Sequence, residues 1–208
     1  MDFIEKYFPE FSEEQKQKFN KLEELFKAWN ASINVISRKD IEFFREKHLQ
    51  HSLSIAKIIN FVPGTKILDL GTGGGLPGLP LAIAFPEVKF HLVDSIGKKI
   101  KVASAIAEEL QLTNVKCEQI RAEEIKKQYD FIISRAVTAL PDFMKYTEGR
   151  ILEKSKNALP NGILYLKGGS YQHELDAIPN LYRIFRISDF YHEEYFETKD
   201  IILIRPLR

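Results

Sequence analysis

The stretch Asp69-Leu70-Gly71-Thr72-Gly73-Gly74-Gly75-Leu76-Pro77-Gly78 decides how this chain is read. It follows a short apolar run, 67–70, and leads into a helix expected to start near Pro77, a residue suited to the first helical position. Gly71, Gly73 and Gly75 allow a sharp turn and let the backbone approach a ligand with no Cβ in the way. The helix start behind them offers unpaired N–H groups to an anion. A second β-rich run, 89–94, ends on Asp94. If the two runs are adjacent parallel strands, Asp94 meets the same crevice, where a carboxylate suits a pair of ribose hydroxyls. Two glycine frames overlap. Gly73-x-Gly75-x-x-Gly78 matches the dinucleotide-binding fingerprint, but two extra residues separate it from the strand. Asp69-x-Gly71-x-Gly73-x-Gly75 starts directly after the strand and carries an acid at its edge.

Working outward, β-rich runs at 66–70, 89–94, 115–119, 130–134 and 163–167 alternate with helical stretches. One such stretch places Ile96, Ile100, Ala103, Ala107 and Leu110 on a single stripe. This alternation predicts a parallel sheet with helices on both faces. Two further strands, 183–187 and 201–205, follow without an intervening helix and are expected to make an antiparallel end. The N-terminal part reads as helical. Ser12-Glu13-Glu14-Gln15 has the form of a capping box, and Phe19, Leu22, Phe26 and Trp29 recur along one face. Residues 30–34 read as a turn. Asp40 is expected to cap a second helix through Phe44, His48, His51, Ile55 and Ile59, ended by Pro63-Gly64. The expected layout is a helical extension, 1–62, packed on an α/β domain, 63–208.

Composition is that of an ordinary globular chain, with 44% hydrophobic and 28% charged residues. Cys117 is the only cysteine, which excludes an intrachain disulfide, suggests a reducing compartment and reads as a small core residue. The acidic start Met1-Asp2-Phe3-Ile4-Glu5 lacks the layout of a signal peptide, and no apolar run reaches membrane-spanning length, so a cytoplasmic protein is expected. A net charge of +1 leaves any nucleic-acid partner to a local basic face. His48 and His51 lie one helical turn apart without a nearby acidic ligand, so no metal site is expected.

The frame Asp69-x-Gly71-x-Gly73-x-Gly75 resembles that of S-adenosylmethionine-dependent methyltransferases with a Rossmann-like, class I fold: a mostly parallel seven-stranded sheet with an antiparallel end. More specifically, the chain resembles the bacterial 16S ribosomal RNA guanine-N7 methyltransferases, also called glucose-inhibited division protein B. The matching stretches are Trp29-Asn30 with Asn34, His48-Leu49 with Ser52-Leu53, and Leu68 through Gly78. They continue with Asp94-Ser95-Ile96-Gly97-Lys98-Lys99, Arg121-Ala122-Glu123, Ile133-Ser134-Arg135-Ala136 and Leu166-Lys167-Gly168. The resemblance implies methyl transfer from S-adenosylmethionine to a guanine in the 530-loop region of 16S ribosomal RNA. It implies cofactor contacts at Gly71, Leu76, Ala122, Glu123 and Arg135, with Asp94 on the ribose; Gly73 is added as a close-approach glycine. His51 and Gly74 depart from the family pattern, in which an acidic residue and a proline are frequent at these places.

Several side chains have competing readings. Glu123 is a solvated carboxylate or a cofactor contact. Arg135, past the fourth strand, is a surface ion pair or a ligand of cofactor or RNA backbone. Lys98 and Lys99 open a helix, where cations oppose the dipole, so a phosphate partner would account for them as readily as a solvated face would. Lys167 ends the fifth strand at the same rim. The candidates for RNA contact are therefore Arg135, Lys167, Lys98 and Lys99. A methyltransferase acting on another RNA, a small molecule or a protein, a non-catalytic RNA-binding ribosome-assembly factor and a nicotinamide dehydrogenase are the alternatives. The motifs that activate other nucleophiles are missing: Cys117 is misplaced for carbon-5 chemistry, and 134–137 lacks the loop used on exocyclic amines. Guanine N7 has no proton to remove, so no general base is expected. A monomer acting on 16S ribosomal RNA or the small subunit, with neither membrane nor metal, is the expected form.

Overall fold

The computed structural model describes residues 2–135 and 138–205. Two helices open the chain, α1 (Phe3–Tyr7) and α2 (Glu13–Ser32). The capping box at Ser12 and Gln15 forms as read, with reciprocal bonds of 3.2 and 2.9 Å. Phe19, Leu22 and Phe26 are fully buried, and α2 packs against two helices that flank the sheet, Gly78–Ala84 and Gly97–Glu109. Asn30 does not start a turn but sits buried in the last turn of α2. Its Oδ1 accepts the N–H groups of Val35 and Ile36 at 3.0 and 2.9 Å, and this folds the chain back.

The expected second helix is irregular. A 3-10 turn, Ile41–Phe43, passes into a π-helix, Phe44–Gln50, then into α3 (His51–Leu53) and α4 (Ile55–Ile58). The hydroxyls of Ser52 and Ser54 donate back to the carbonyls of His48 and His51, competing with the helical ladder. Asp40 makes no cap; its carboxylate takes Ser37 and Lys47 instead. The helix ends before Ile59, whose backbone is already extended, and so stops short of Pro63.

The sheet then follows: β1 (Lys66–Leu70), α5 (Gly78–Ala84), β2 (Lys89–Asp94), α6 (Gly97–Glu109), β3 (Val115–Gln119), β4 (Phe131–Arg135), α7 (Leu140–Thr147), β5 (Gly162–Gly168), α8 (Gln172–Asp176), β6 (Leu181–Arg186) and β7 (Lys199–Arg205). Strand order is β3-β2-β1-β4-β5-β7-β6, with β7 antiparallel to both of its neighbours. The strands thus match the sequence reading to within a residue or two at their ends. One difference is the short helix α8, which intervenes before β6. Another is Pro77, which occupies the cap position before α5, after a cis Leu76–Pro77 bond, not the first helical position. A third is Cys117, which is only half-buried because β3 is an edge strand. Strand order reverses between β1 and β4, and ligands of open α/β sheets bind in the crevice at such a point. No described helix is long and apolar enough to cross a membrane.

Candidate functional site

The crevice at the carboxyl ends of β1, β2 and β4 is a cavity of about 540 Å³, a size that suits a nucleoside-sized ligand. Its floor is the glycine loop. Gly71, Gly73 and Gly75 have φ of 74°, 58° and 111°, the left-handed region that L side chains avoid. The N–H groups of Gly71 and Thr72 both donate to the carbonyl of Val93, tying the loop to β2. Beneath the loop, the Asp69 carboxylate accepts the Thr72 hydroxyl at 2.6 Å and the Gly78 N–H at 2.8 Å through one oxygen. Its other oxygen is buried without a partner, and burial raises the carboxyl to about 7. A Cβ on Gly78 would lie 2.6 Å from Asp69, so this glycine lets the helix start close over the carboxylate. Gly74 matters for packing instead. A Cβ there would press on Phe26 and Val35 at 3.1 Å, the place where α2 and the segment after it lean on the loop.

Asp94 ends β2 inside the cleft and is nearly buried. It accepts the Gly73 N–H at 3.0 Å and the Ile96 N–H at 2.9 Å, one on each oxygen. An ionised carboxylate has about four acceptor positions. Two therefore stay available for a pair of hydroxyls. Ile96 is 40% exposed, unusual for an isoleucine, and with Ile120 and Ala122 it gives the wall beside Asp94 an apolar surface for a flat ring. The backbone of Ala122–Glu124 is a 3-10 turn held by Arg150, which donates to the carbonyls of Glu123 and Ile125. The Glu123 side chain itself is exposed at the rim.

Arg135 closes the opposite wall. Its guanidinium donates to His48 Nδ1 at 2.9 Å and to the Lys47 carbonyl at 3.3 Å. No carboxylate of the described residues pairs with it, and burial lowers its basicity. Because His48 accepts through Nδ1, the ring is neutral with its proton on Nε2, which is buried and unpartnered. Burial and the neighbouring Arg135 depress His48 to about 3, and His51 is held well below the ordinary imidazole range. The π-helix thus brings to the site a neutral acceptor for a partly buried cation. Short π segments often occur at functional sites.

The cavity gathers Gly71, Gly73, Leu76, Asp94, Ala122, Glu123, Arg135 and Lys99. Two sequence candidates are not among its lining residues. Lys98 faces a neighbouring groove. Lys167 is largely buried and paired with Glu174 at 2.8 Å, so its charge is already satisfied and it is no free RNA ligand. Ala136 and Val137 lie outside the described residues. Sequence reasoning missed Phe26, Val35, Arg121, Phe143 and Tyr146 as lining residues. Phe26 was legible only as part of a packing stripe, and the amphipathic pattern of 140–147 does not say which side chain reaches a cleft. Among the described residues no group of three or more His, Cys, Asp or Glu could hold a metal ion.

The fold and the glycine-loop cleft define a class I S-adenosylmethionine-dependent methyltransferase. Its fold is similar to that of a SAM-dependent methyltransferase from Aquifex aeolicus, with TM-score 0.55 and 14% identity over 81% of this chain and 98% of that one. A precorrin-6y C5,15-methyltransferase from Geobacter metallireducens GS-15 is similar too, with TM-score 0.56 and 10% identity over 84% and 92%. At these identities the likeness shows the fold alone. The family is shown by sequence. The model of the GidB family, rRNA small subunit methyltransferase G, matches residues 15–195. The Ribosomal RNA small subunit methyltransferase G of Bacteroides thetaiotaomicron is 53% identical over 97% of this chain and 98% of its own length. That of Flavobacterium psychrophilum is 53% identical over 100% and 99%. This chain belongs to the rRNA small subunit methyltransferase G family.

Proposed function

We propose that this protein transfers a methyl group from S-adenosylmethionine to N7 of a guanine in the 530-loop region of 16S ribosomal RNA. It would act in the cytoplasm, as a monomer, on the RNA or the small subunit. The carrying observation is the cleft, where a two-acceptor carboxylate, an apolar wall and a guanidinium paired with no carboxylate of the described residues converge on the glycine loop. Asp94 would hold the ribose hydroxyls, Ile96, Ile120 and Ala122 the adenine face, and the loop at Gly71, Gly73 and Leu76 the middle of the cofactor. Glu123, at the rim, would contact the adenosine end. Arg135 would neutralise an anion, either the cofactor's carboxylate or an RNA phosphate; that no carboxylate of the described residues pairs with it supports both. Lys99 would face the RNA. We take residues 1–62 as the extension and 63–208 as the catalytic domain.

When bound, S-adenosylmethionine supplies an electrophilic methyl carbon on a sulfonium. The remaining work belongs to the chain. Guanine N7 carries a free lone pair and no proton, so no residue has to act as a base. The walls need only hold the base in line with the methyl group, and such positioning contributes roughly 7–11 kcal/mol. A bidentate arginine on O6 and N7 would occupy the reacting atom, so any arginine at the base must bind elsewhere during transfer.

The test is mass analysis of 16S RNA fragments from cells with and without this protein. One methyl group on a 530-loop guanine, in a form cleaved by alkali and aniline as N7-methylguanine is, should vanish in the cells that lack it. A missing methyl that resists this cleavage refutes the N7 assignment, and unchanged RNA refutes the substrate.

A further inference from the structure

Beside the cleft lies a second groove of about 280 Å³, formed by residues 30–34 at the end of α2, by Arg38 and by Lys98. It adjoins the cleft at two points of the chain. Val35 lines the cleft and Asn34 the groove; Lys99 lines the cleft and Lys98 the groove. Adjacent lysines at the start of α6 therefore serve different cavities.

The charges of this groove stand apart from those of the helix that leads to it. Along α2, Lys16, Lys18, Lys21 and Lys27 each pair with a glutamate three or four residues away. The next acid along the chain, Asp40, is taken by Lys47 and Ser37. Arg38 and Lys98 are exposed and pair with no carboxylate of the described residues. No acidic side chain of the described residues lines the groove, and the exposed Asn34 adds an amide that can donate. Two uncommitted cations and an amide donor, with no acid among them, fit a phosphate. The planar guanidinium offers a forked donor pair, and the ammonium a compact charge.

We propose that this groove is a phosphate subsite that holds the RNA backbone beside the guanine entering the cleft, with Arg38 and Lys98 as its ligands. The inference rests on the RNA reading above. A backbone crossing Lys99 into the cleft continues over Lys98 toward Arg38, so the N-terminal extension reads part of the substrate.

The competing explanation is structural: a cation near the carbonyl end of α2 also favours the helix dipole. The experiment compares the full-length protein with Arg38→Ala, Lys98→Ala, the double variant and Lys98→Arg. The substrate is small ribosomal subunits from cells lacking the protein, with S-adenosylmethionine present. KM for the subunit is measured between about 50 and 200 mM salt, affinity for S-adenosylmethionine by calorimetry without RNA, and Tm for each variant. Removing one phosphate ligand should reduce the log–log salt slope by about 0.7–0.9, while Lys98→Arg keeps it and cofactor affinity stays at the wild-type value. An unchanged slope with a lowered Tm in Lys98→Ala overturns the subsite in favour of the helix-end role. An unchanged slope with unchanged Tm overturns it as well. A wild-type protein that methylates no RNA removes the functional reading and this inference together.

Discussion

Replacing His48 with glutamine should remove part of the protein's sensitivity to acid. In the fold, the imidazole is neutral and accepts from Arg135 at 2.9 Å, and burial with the Arg135 charge depresses it to about 3 from an ordinary 6.5. A depressed folded-state value contributes stability that is present above 6.5 and lost as pH falls toward 3, because the unfolded chain takes the proton first. Between about pH 7 and pH 5 the unfolded form gains roughly 1.4 kcal/mol per unit below 6.5, so His48 costs about 2 kcal/mol over that interval. His51 adds a loss of the same sign. Asp69 acts oppositely: its carboxyl, raised from 3.8 to about 7, contributes stability present below 3.8 and lost as pH rises through 7. Both are common to the two proteins and cancel in the comparison. Urea unfolding at the two pH values should show wild type losing about 2 kcal/mol more than His48→Gln on acidification. Glutamine keeps an acceptor for Arg135 without titrating, so the comparison isolates the proton. Equal losses in both proteins would mean that the imidazole titrates alike in the folded and unfolded chains, and the neutral, buried acceptor would be wrong.

Asp94→Ala removes two acceptor positions aimed into the cleft and the anchors of the Gly73 and Ile96 N–H groups. Hydrogen bonds to a charged group contribute about 1.5–3 kcal/mol each, so affinity for S-adenosylmethionine should fall by about 100-fold or more in calorimetry. A change within about 3-fold removes Asp94 from the ribose. Glu123→Gln should leave the shape of the single-turnover pH–rate profile unaltered between about pH 6 and pH 9, since N7 gives up no proton. A limb present in wild type and absent in this variant would make Glu123 a base and N7 the wrong atom.

Much of this was legible in the sequence because periodicity and glycine spacing are local. The strand runs alternate with helical stripes, and a strand followed by Asp69-x-Gly71-x-Gly73-x-Gly75 has few other ways to turn. Asp94 could be placed in the cleft because adjacent parallel strands end at the same edge of the sheet. Four things were not legible, each for a different reason. Asn30 looked like a turn residue, but its side chain reaches two N–H groups further along and lets α2 run on to Ser32. The segment after Asp40 kept helical spacing of its apolar residues, yet serine hydroxyls and a π segment rearrange its ladder. Lys167 carried a charge at the right rim, but Glu174 on α8 neutralises it. Lys98 and Lys99 read as one cluster, although successive residues on a helix point about 100° apart and reach two different cavities.

What the sequence determined by itself is therefore the order of strands and helices, the glycine floor and the acid beside it. Each of these depends on residues close together in the chain. Which charges are paired and which stay available was decided only by tertiary structure. Arg135 pairs with no acid of the described residues because the π-helix sets His48 and the Lys47 carbonyl against it, 87 and 88 residues away. Whether a cation is free to meet an anion depends on neighbours that folding brings from distant parts of the chain, and no local pattern records them.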